Sequence, residues 1–133
     1  MPTRGWSRTA ASRPPLIARA LGAMIFVAET EERSLYTFPT EAEAIANCEG
    51  IDVEAGIWLF WNDSGQPLEP KFTIPNKRGS FTVTNGVYAL VSATSTHRVP
   101  LAGALKDIIH YRSAAPFNSE ADVRTYLAHR YGA

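Results

Sequence analysis

An unbroken apolar run near the middle of the chain limits what this sequence can fold into. Its five residues put bulky side chains on both faces of any strand that they form: Ile57, Trp58, Leu59, Phe60 and Trp61. A strand that is apolar on both faces must be covered on both, so residues 57–61 are expected at the centre of a sheet. Three more strand-like runs follow at residues 71–74, 81–84 and 87–93. The sequence therefore predicts a four-stranded antiparallel meander.

Signals on either side of this meander complete the predicted fold. Two β-rich runs at residues 25–29 and 35–38 suit a hairpin. Thr40, with Glu43 three residues later, predicts a capped helix that ends at Gly50. An apolar stripe over residues 101–109 and a weaker capping box at Ser119 predict two more helices. The order β-β-α-β-β-β-β-α-α indicates an α+β fold, a mostly antiparallel sheet of about six strands with helices packed on one face.

Two turns are predicted inside the meander. Asn85 followed by Gly86 is the strongest hairpin signal in the chain, because a type I′ turn requires positive φ at both central residues. It predicts that residues 81–84 pair with residues 87–93. Asn62 to Gly65 form the second turn signal, since Asn and Asp tolerate tight backbone geometry and Gly adopts positive φ without strain.

Length and composition indicate one globular domain. The 133 residues can bury a single core, and no apolar run approaches the roughly 20 residues that cross a bilayer. The lone Cys48 forbids an internal disulfide, which fits a reducing compartment, so the expected location is the cytoplasm. Residues 1–23 are predicted to be a basic tail and residues 24–133 the domain. A disordered tail and a true start at Met24, which would remove the tail, both stay open.

Charge is distributed unevenly, although the 13 basic and 13 acidic residues cancel. The tail has four arginines and no acid, which leaves nine basic against thirteen acidic residues in the domain. A 26-residue stretch has Arg33 as its single base and holds eight acids, the predicted partner-binding residues: Glu29, Glu31, Glu32, Glu41, Glu43, Glu49, Asp52 and Glu54. Gathered on one surface, they would steer a cationic partner and mimic nucleic-acid phosphates. Solubility alone is the competing explanation.

Patterns that carry catalysis or metal binding are weak. His97, His110 and His129 have no zinc-site spacing with one another or with Cys48, so neither a metal site nor a cofactor is predicted. Asp63 and the two residues after it are similar to the aspartic-protease signature, but a single copy is better explained by a turn, and no catalytic residue is assigned. The net acidic domain also disfavours direct nucleic-acid binding.

Taken together, these features resemble the small α+β immunity proteins of bacterial contact-dependent or polymorphic toxin systems. The resemblance covers residues 24 to about 127 and is carried by a helix start, an aromatic strand with its turn, and a hairpin: Phe38, Pro39, Thr40, Glu41, Ala42, Glu43, Ala44 and Ile45, then Trp58 to Gly65, then Asn85, Gly86, Val87 and Tyr88. It implies a non-enzymatic module that neutralises a basic toxin domain, without membrane attachment, as a monomer or weak homodimer.

Two alternatives from other functional classes stay open. One is a small hydrolase or transferase with a pocket between the sheet and the helices, in which Asp63 or His110 would act. The other is a self-associating structural subunit that uses an exposed sheet edge near residues 71–74, where prolines flank the strand and limit its ladder.

Overall fold

The computed structural model describes residues 24–94 and 98–131, and the tail predicted at residues 1–23 lies outside them. In chain order the elements are β1 (Ile25–Glu29), β2 (Ser34–Phe38), α1 (Glu41–Asn47), α2 (Gly50–Glu54), β3 (Trp58–Trp61), β4 (Pro67–Ile74), β5 (Lys77–Arg78), β6 (Val83–Thr84), β7 (Val87–Ser92), α3 (Leu101–Ala104), a 3₁₀ turn (Leu105–Asp107), β8 (His110–Ser113) and α4 (Glu120–Tyr131).

Six strands of the described residues form one sheet in the order β7-β4-β3-β1-β2-β8. Its neighbouring strands run antiparallel, except that β8 lies parallel to β2. These features confirm the predicted α+β class and the mostly antiparallel sheet. The aromatic strand β3 lies inside the sheet, as its apolar run predicts, with Trp61 opposite Phe26 on β1 and Phe60 opposite Leu68 on β4.

Helices cover both faces of this sheet, and the prediction that they pack on one face is wrong. Phe26 and Trp61 pack with α3 and α4 in one core. Val27 and Phe60 pack with α1 and α2 in the other. Successive strand residues point to opposite faces, so strands that are apolar at every position require a helical layer on each side.

The helix caps predicted at Thr40 and Ser119 are both present. Thr40 caps α1, and its hydroxyl accepts a hydrogen bond from the amide of Glu43 (3.1 Å). Ser119 does the same for the amide of Asp122 (3.2 Å) before α4. Gly50 differs from its prediction, because α1 has already ended and Gly50 begins α2 instead. The tightly capped start of α1 thus positions two of the predicted acidic residues.

The predicted Asn85-Gly86 hairpin is wrong. β7 pairs along its length with β4, and Gly86 lacks the positive φ that a type I′ turn requires. Of the predicted strand at residues 81–84, only β6 forms, and it pairs with β5 in a separate two-stranded ribbon. The side chain of Asn85 instead accepts a hydrogen bond from the amide of Ile51 (3.0 Å), so a tertiary contact replaces the turn.

The helix predicted for residues 101–109 ends early. Leu101 and Leu105 are buried, as the stripe predicts, but α3 gives way to a 3₁₀ turn and Ile109 is 55% exposed. The amide of Ile109 donates to the carbonyl of Arg33 (2.8 Å). This contact starts β8 beside β2, which supplies the sixth strand in place of residues 81–84.

Candidate functional site

Three of the predicted acidic residues lie at the turn between β1 and β2. Glu29 ends β1, and one of its carboxylate oxygens accepts hydrogen bonds from the backbone amides of Glu31 (2.6 Å) and Glu32 (2.9 Å). This carboxylate holds the turn in shape, as side-chain acceptors do in local turn motifs. The side chains of Glu31 and Glu32 are exposed. Glu29 is therefore committed to the turn, and the other two are presented to solvent.

Glu41 and Glu43 lie in the first turn of α1, at the opposite end of the sheet, because β2 runs away from the Glu29 turn before α1 begins. One carboxylate oxygen of Glu41 accepts a hydrogen bond from the amide of Leu90 on β7 (2.9 Å). β7 is an outer strand of the sheet, and this contact occupies one of its free edge amides. Glu41 therefore has a structural role that sequence reasoning did not find.

Glu49, Asp52 and Glu54 lie on or beside α2. Glu49 and Glu54 are exposed, and Asp52 is half-buried. The carboxylate of Glu54 accepts a hydrogen bond from the side-chain amide of Asn76, just after β4 (2.8 Å). α2 is thereby joined to the segment that leads into the β5-β6 ribbon.

The structure brings six of the eight acidic residues to one end of the sheet. Thr30, in the Glu29 turn, donates its amide to the carbonyl of Ile57, which follows α2 (2.9 Å). This bond places α2 beside the turn. We call this end the acidic end, and it contains Glu29, Glu31, Glu32, Glu49, Asp52 and Glu54.

None of these six carboxylates forms an ion pair with a basic side chain that the structure describes. The one ion pair among the side chains that the structure describes, which leave out those of residues 112, 113, 130 and 131, joins Arg124 to Glu120 on α4 (2.7 Å). Arg33, the only base in the acidic stretch, instead donates its Nε–H to the backbone carbonyl of Asp107 (2.8 Å). Because six carboxylates share this end of the sheet without an ion pair among the described side chains, we expect a negative potential there.

A cavity of about 310 Å³ opens next to the Glu29 turn. Its lining includes the apolar side chains of Leu59 and Trp61 and the charged side chains of Glu29, Arg33 and Asp107. Arg33 has a φ of 59°, a conformation that residues with a side chain rarely adopt. The volume lies near the lower limit of small-molecule sites, which begin at about 300 Å³.

The residues named for the hydrolase or transferase alternative are not brought together. Asp63 is buried and accepts a hydrogen bond from the hydroxyl of Tyr126. His110 begins β8 and is exposed. Tyr126 lines a second cavity, of about 360 Å³, together with Asp122 and His129. Asp63 therefore reaches that cavity through Tyr126, and His110 lines neither cavity.

Four groups with a shifted pKa do not line either cavity. Burial raises the pKa of the Cys48 thiol to about 12. Burial also raises the pKa of Tyr88 and of Tyr111 and lowers that of Arg98. The enzyme alternative stays a prediction that no observation in the described residues favours.

The residues that the structure describes give no support to metal binding. They contain no cluster of three His, Cys, Asp or Glu side chains placed to hold a metal ion, and His97 lies outside them.

A basic and apolar surface at the β5-β6 ribbon was missed by the sequence analysis. The signal was present, because the 37 residues from 70 to 106 contain five bases and no acid. Lys77 and Arg78 form β5, and Phe81, in the turn that follows, is 98% exposed. Phe81 and Val83 alternate with threonines, a pattern typical of a strand with one buried face, but both apolar side chains face solvent.

No protein-family model, curated protein sequence or solved structure matches this chain. Among the residues that the structure describes, no helix has the length and apolar character needed to cross a bilayer.

Proposed function

We propose that this chain is a non-enzymatic, cytoplasmic protein-binding module that neutralises a basic toxin domain, as the immunity proteins that it resembles do. The observation that supports this most is the acidic end of the sheet, where six acidic side chains gather and none forms an ion pair among the described residues. Complementary charge of this kind steers a partner to the surface and selects against partners of the wrong sign.

The lack of ion pairs at the acidic end, within the described residues, matters for binding. A lysine or arginine of the partner can pair with these carboxylates without first displacing a base from an ion pair of the described part of the chain. Charge-steered association is roughly 10- to 1000-fold faster than association of neutral surfaces. It weakens as salt rises, because the screening length is about 8 Å at physiological ionic strength.

Glu31 and Glu32 are the residues best placed to contact the partner. Both are exposed, and the Glu29 carboxylate fixes the backbone that carries them. A fixed turn loses less conformational entropy on binding than a mobile loop does. Glu41 and Glu54 are less suited to this role, because their carboxylates already accept hydrogen bonds from within the chain.

The test uses the basic domain encoded beside this gene as the partner. Replacing both residues, Glu31→Gln with Glu32→Gln, should weaken binding on the order of tenfold and mainly slow association. The control variant, Gln66→Lys with Ala121→Lys, changes the net charge by the same +2 at exposed positions away from the acidic end. It should retain most of the affinity. Calorimetry measures the affinity and stopped-flow binding measures the association rate, each at low and high salt.

Three results would count against the proposal. An equal loss in both variants would show that net charge, and not the acidic end, determines binding. Binding that does not depend on salt would remove the electrostatic mechanism. If the neighbouring domain does not bind at all, and co-expression of this chain does not protect cells from it, the immunity function is wrong.

A further inference from the structure

Four large apolar side chains are exposed on or beside the β5-β6 ribbon. Ile74 is 51% exposed, Phe81 98%, Val83 56% and Val87 53%. They fall within 14 consecutive residues, and Ile74 and Val87 face each other across β4 and β7. Apolar residues that are exposed together, in contrast to scattered single ones, mark an interaction surface. We call these four residues, with Lys77 and Arg78, the ribbon surface.

The ribbon is held firmly at its base. Asn76 accepts a hydrogen bond from the amide of Gly86 (2.7 Å) and donates one to the carbonyl of Gly50 (3.0 Å). Asn85 accepts a hydrogen bond from the amide of Ile51 at the start of α2 (3.0 Å). The apolar side chains are therefore displayed in a defined position beside α2, where they lack a cover from the described residues.

Both signs of charge lie side by side at this position. Lys77 and Arg78 are exposed on the ribbon. The ribbon is bonded to α2, where the acidic residue Glu49 immediately precedes the helix and Asp52 lies within it. A surface with a basic half and an acidic half around an apolar centre complements itself after a twofold rotation. Such a patch satisfies the requirement of an isologous dimer, in which the same surface is used on both subunits.

We propose that the ribbon surface and α2 form a twofold interface with a second copy of this chain, with each ribbon lying on the α2 of the other copy. An anionic membrane or a nucleic acid fits less well, because docking there would bring Glu49 and Asp52 against negative charge. A nucleic acid would also find Phe81 as the single fully exposed aromatic ring of the ribbon for base stacking.

This inference does not rest on the proposed toxin-neutralising function. The dimer would cover Glu49 and Asp52 of the acidic end, but it would leave free Glu31 and Glu32, the residues best placed to contact the basic domain, at the β1-β2 turn. If the protein is a monomer that binds the basic domain, the dimer is wrong and the toxin-neutralising function stands. If it is a dimer that does not bind the basic domain, the toxin-neutralising function is wrong and the dimer stands.

Sedimentation equilibrium of the full chain at rising concentrations tests the dimer. The expected result is a monomer–dimer equilibrium that shifts to monomer as salt rises. Phe81→Ser should weaken dimerisation on the order of tenfold, as the loss of a central aromatic contact does. Ile109→Ser removes an apolar side chain that is 55% exposed elsewhere on the surface, and it should leave dimerisation unchanged.

A charge exchange shows which surfaces meet. Lys77→Glu with Arg78→Glu gives one variant, and Glu49→Lys with Asp52→Lys gives the other. Each alone should be monomeric, because its ribbon and α2 then carry the same sign. An equal mixture should form heterodimers, since every ribbon meets an α2 of opposite charge, and this recovery also shows that both variants are folded.

Several outcomes would overturn the interface. These are a protein that stays monomeric at every concentration, a Phe81→Ser variant that dimerises like the unchanged protein, or a mixture of charge variants that stays monomeric. A monomer that sediments with vesicles of anionic phospholipid, but not with vesicles of zwitterionic phospholipid, would assign the ribbon surface to a membrane instead.

Discussion

Alkaline pH is expected to destabilise this fold through the buried thiol of Cys48. Its side chain lies in the core between α1 and the sheet with no exposed surface. Burial raises the pKa of this thiol from 9.0 to about 12. The hydroxyl of Tyr88 donates a buried hydrogen bond to the backbone carbonyl of Cys48 (2.6 Å), which keeps this part of the core closed.

The sign and size of the effect follow from proton linkage. The unfolded thiol loses its proton above about pH 9, whereas the folded thiol keeps it until about pH 12. In this interval the unfolded state binds fewer protons, so the free energy of unfolding falls as the pH rises, by about 1.4 kcal/mol per pH unit. The stabilisation that comes from keeping this thiol protonated is fully present below pH 9. At pH 10 the free energy of unfolding has fallen by about 1.4 kcal/mol.

Urea unfolding of the unchanged protein and of Cys48→Ala, between pH 7 and pH 10 with a reductant, measures this effect. At pH 7 the variant should be less stable by about 1 kcal/mol, because it leaves a small cavity. The difference should vanish or change sign by pH 10, since the variant has no thiol to ionise. Groups other than Tyr88 titrate alike in both proteins. The pKa of Tyr88 is raised mainly by its burial, which both proteins share, and to a smaller extent by Cys48. The hydrogen bond from Tyr88 to the backbone carbonyl at position 48 should persist in both. Parallel stability curves would refute the reasoning.

Two further changes test the packing around the ribbon and the sheet edge by the same urea unfolding. Gly86→Ala places a Cβ at 2.0 Å from a backbone oxygen of β4 and should cost about 2 kcal/mol or more, whereas Gly103→Ala meets no atom closer than 3.7 Å and should be neutral or slightly stabilising. Glu41→Ala removes the acceptor for the Leu90 amide and should cost about 1 kcal/mol. Glu43→Ala, in the same helical turn, should cost less, and equal losses would assign both effects to the helix terminus.

Local signals predicted the elements whose partners lie within a few residues. The hydroxyl of Thr40 finds the amide of Glu43 three residues away, so the sequence around it contains both halves of the cap. The β1-β2 hairpin formed for the same reason, since its two strands adjoin in the chain. The aromatic run of β3 also indicated its central place in the sheet, because no exposed strand accommodates apolar side chains on both faces.

Predictions failed where a distant segment competed for the same groups. Asn85 has the residue type of a tight turn, but its side chain bonds to Ile51, 34 residues away in the chain. The stripe over residues 101–109 suits a helix. However, the carbonyl of Arg33 accepts hydrogen bonds from the amides of residues 109 and 110, and a parallel strand begins there. Neither competing partner is visible from a window of neighbouring residues.

The candidate site divides in the same way. The amino-acid sequence by itself determines that residues 29–54 are acidic, that residues 70–106 lack acids, and that Glu31 and Glu32 occupy a turn exposed to water. Tertiary structure alone decides that Glu41 binds the Leu90 amide, and that the ribbon stands beside α2 with Phe81 in solvent. The physical reason is that a hydrogen bond needs its partners within about 3 Å and aligned, which residues far apart in the chain achieve only once the sheet has formed.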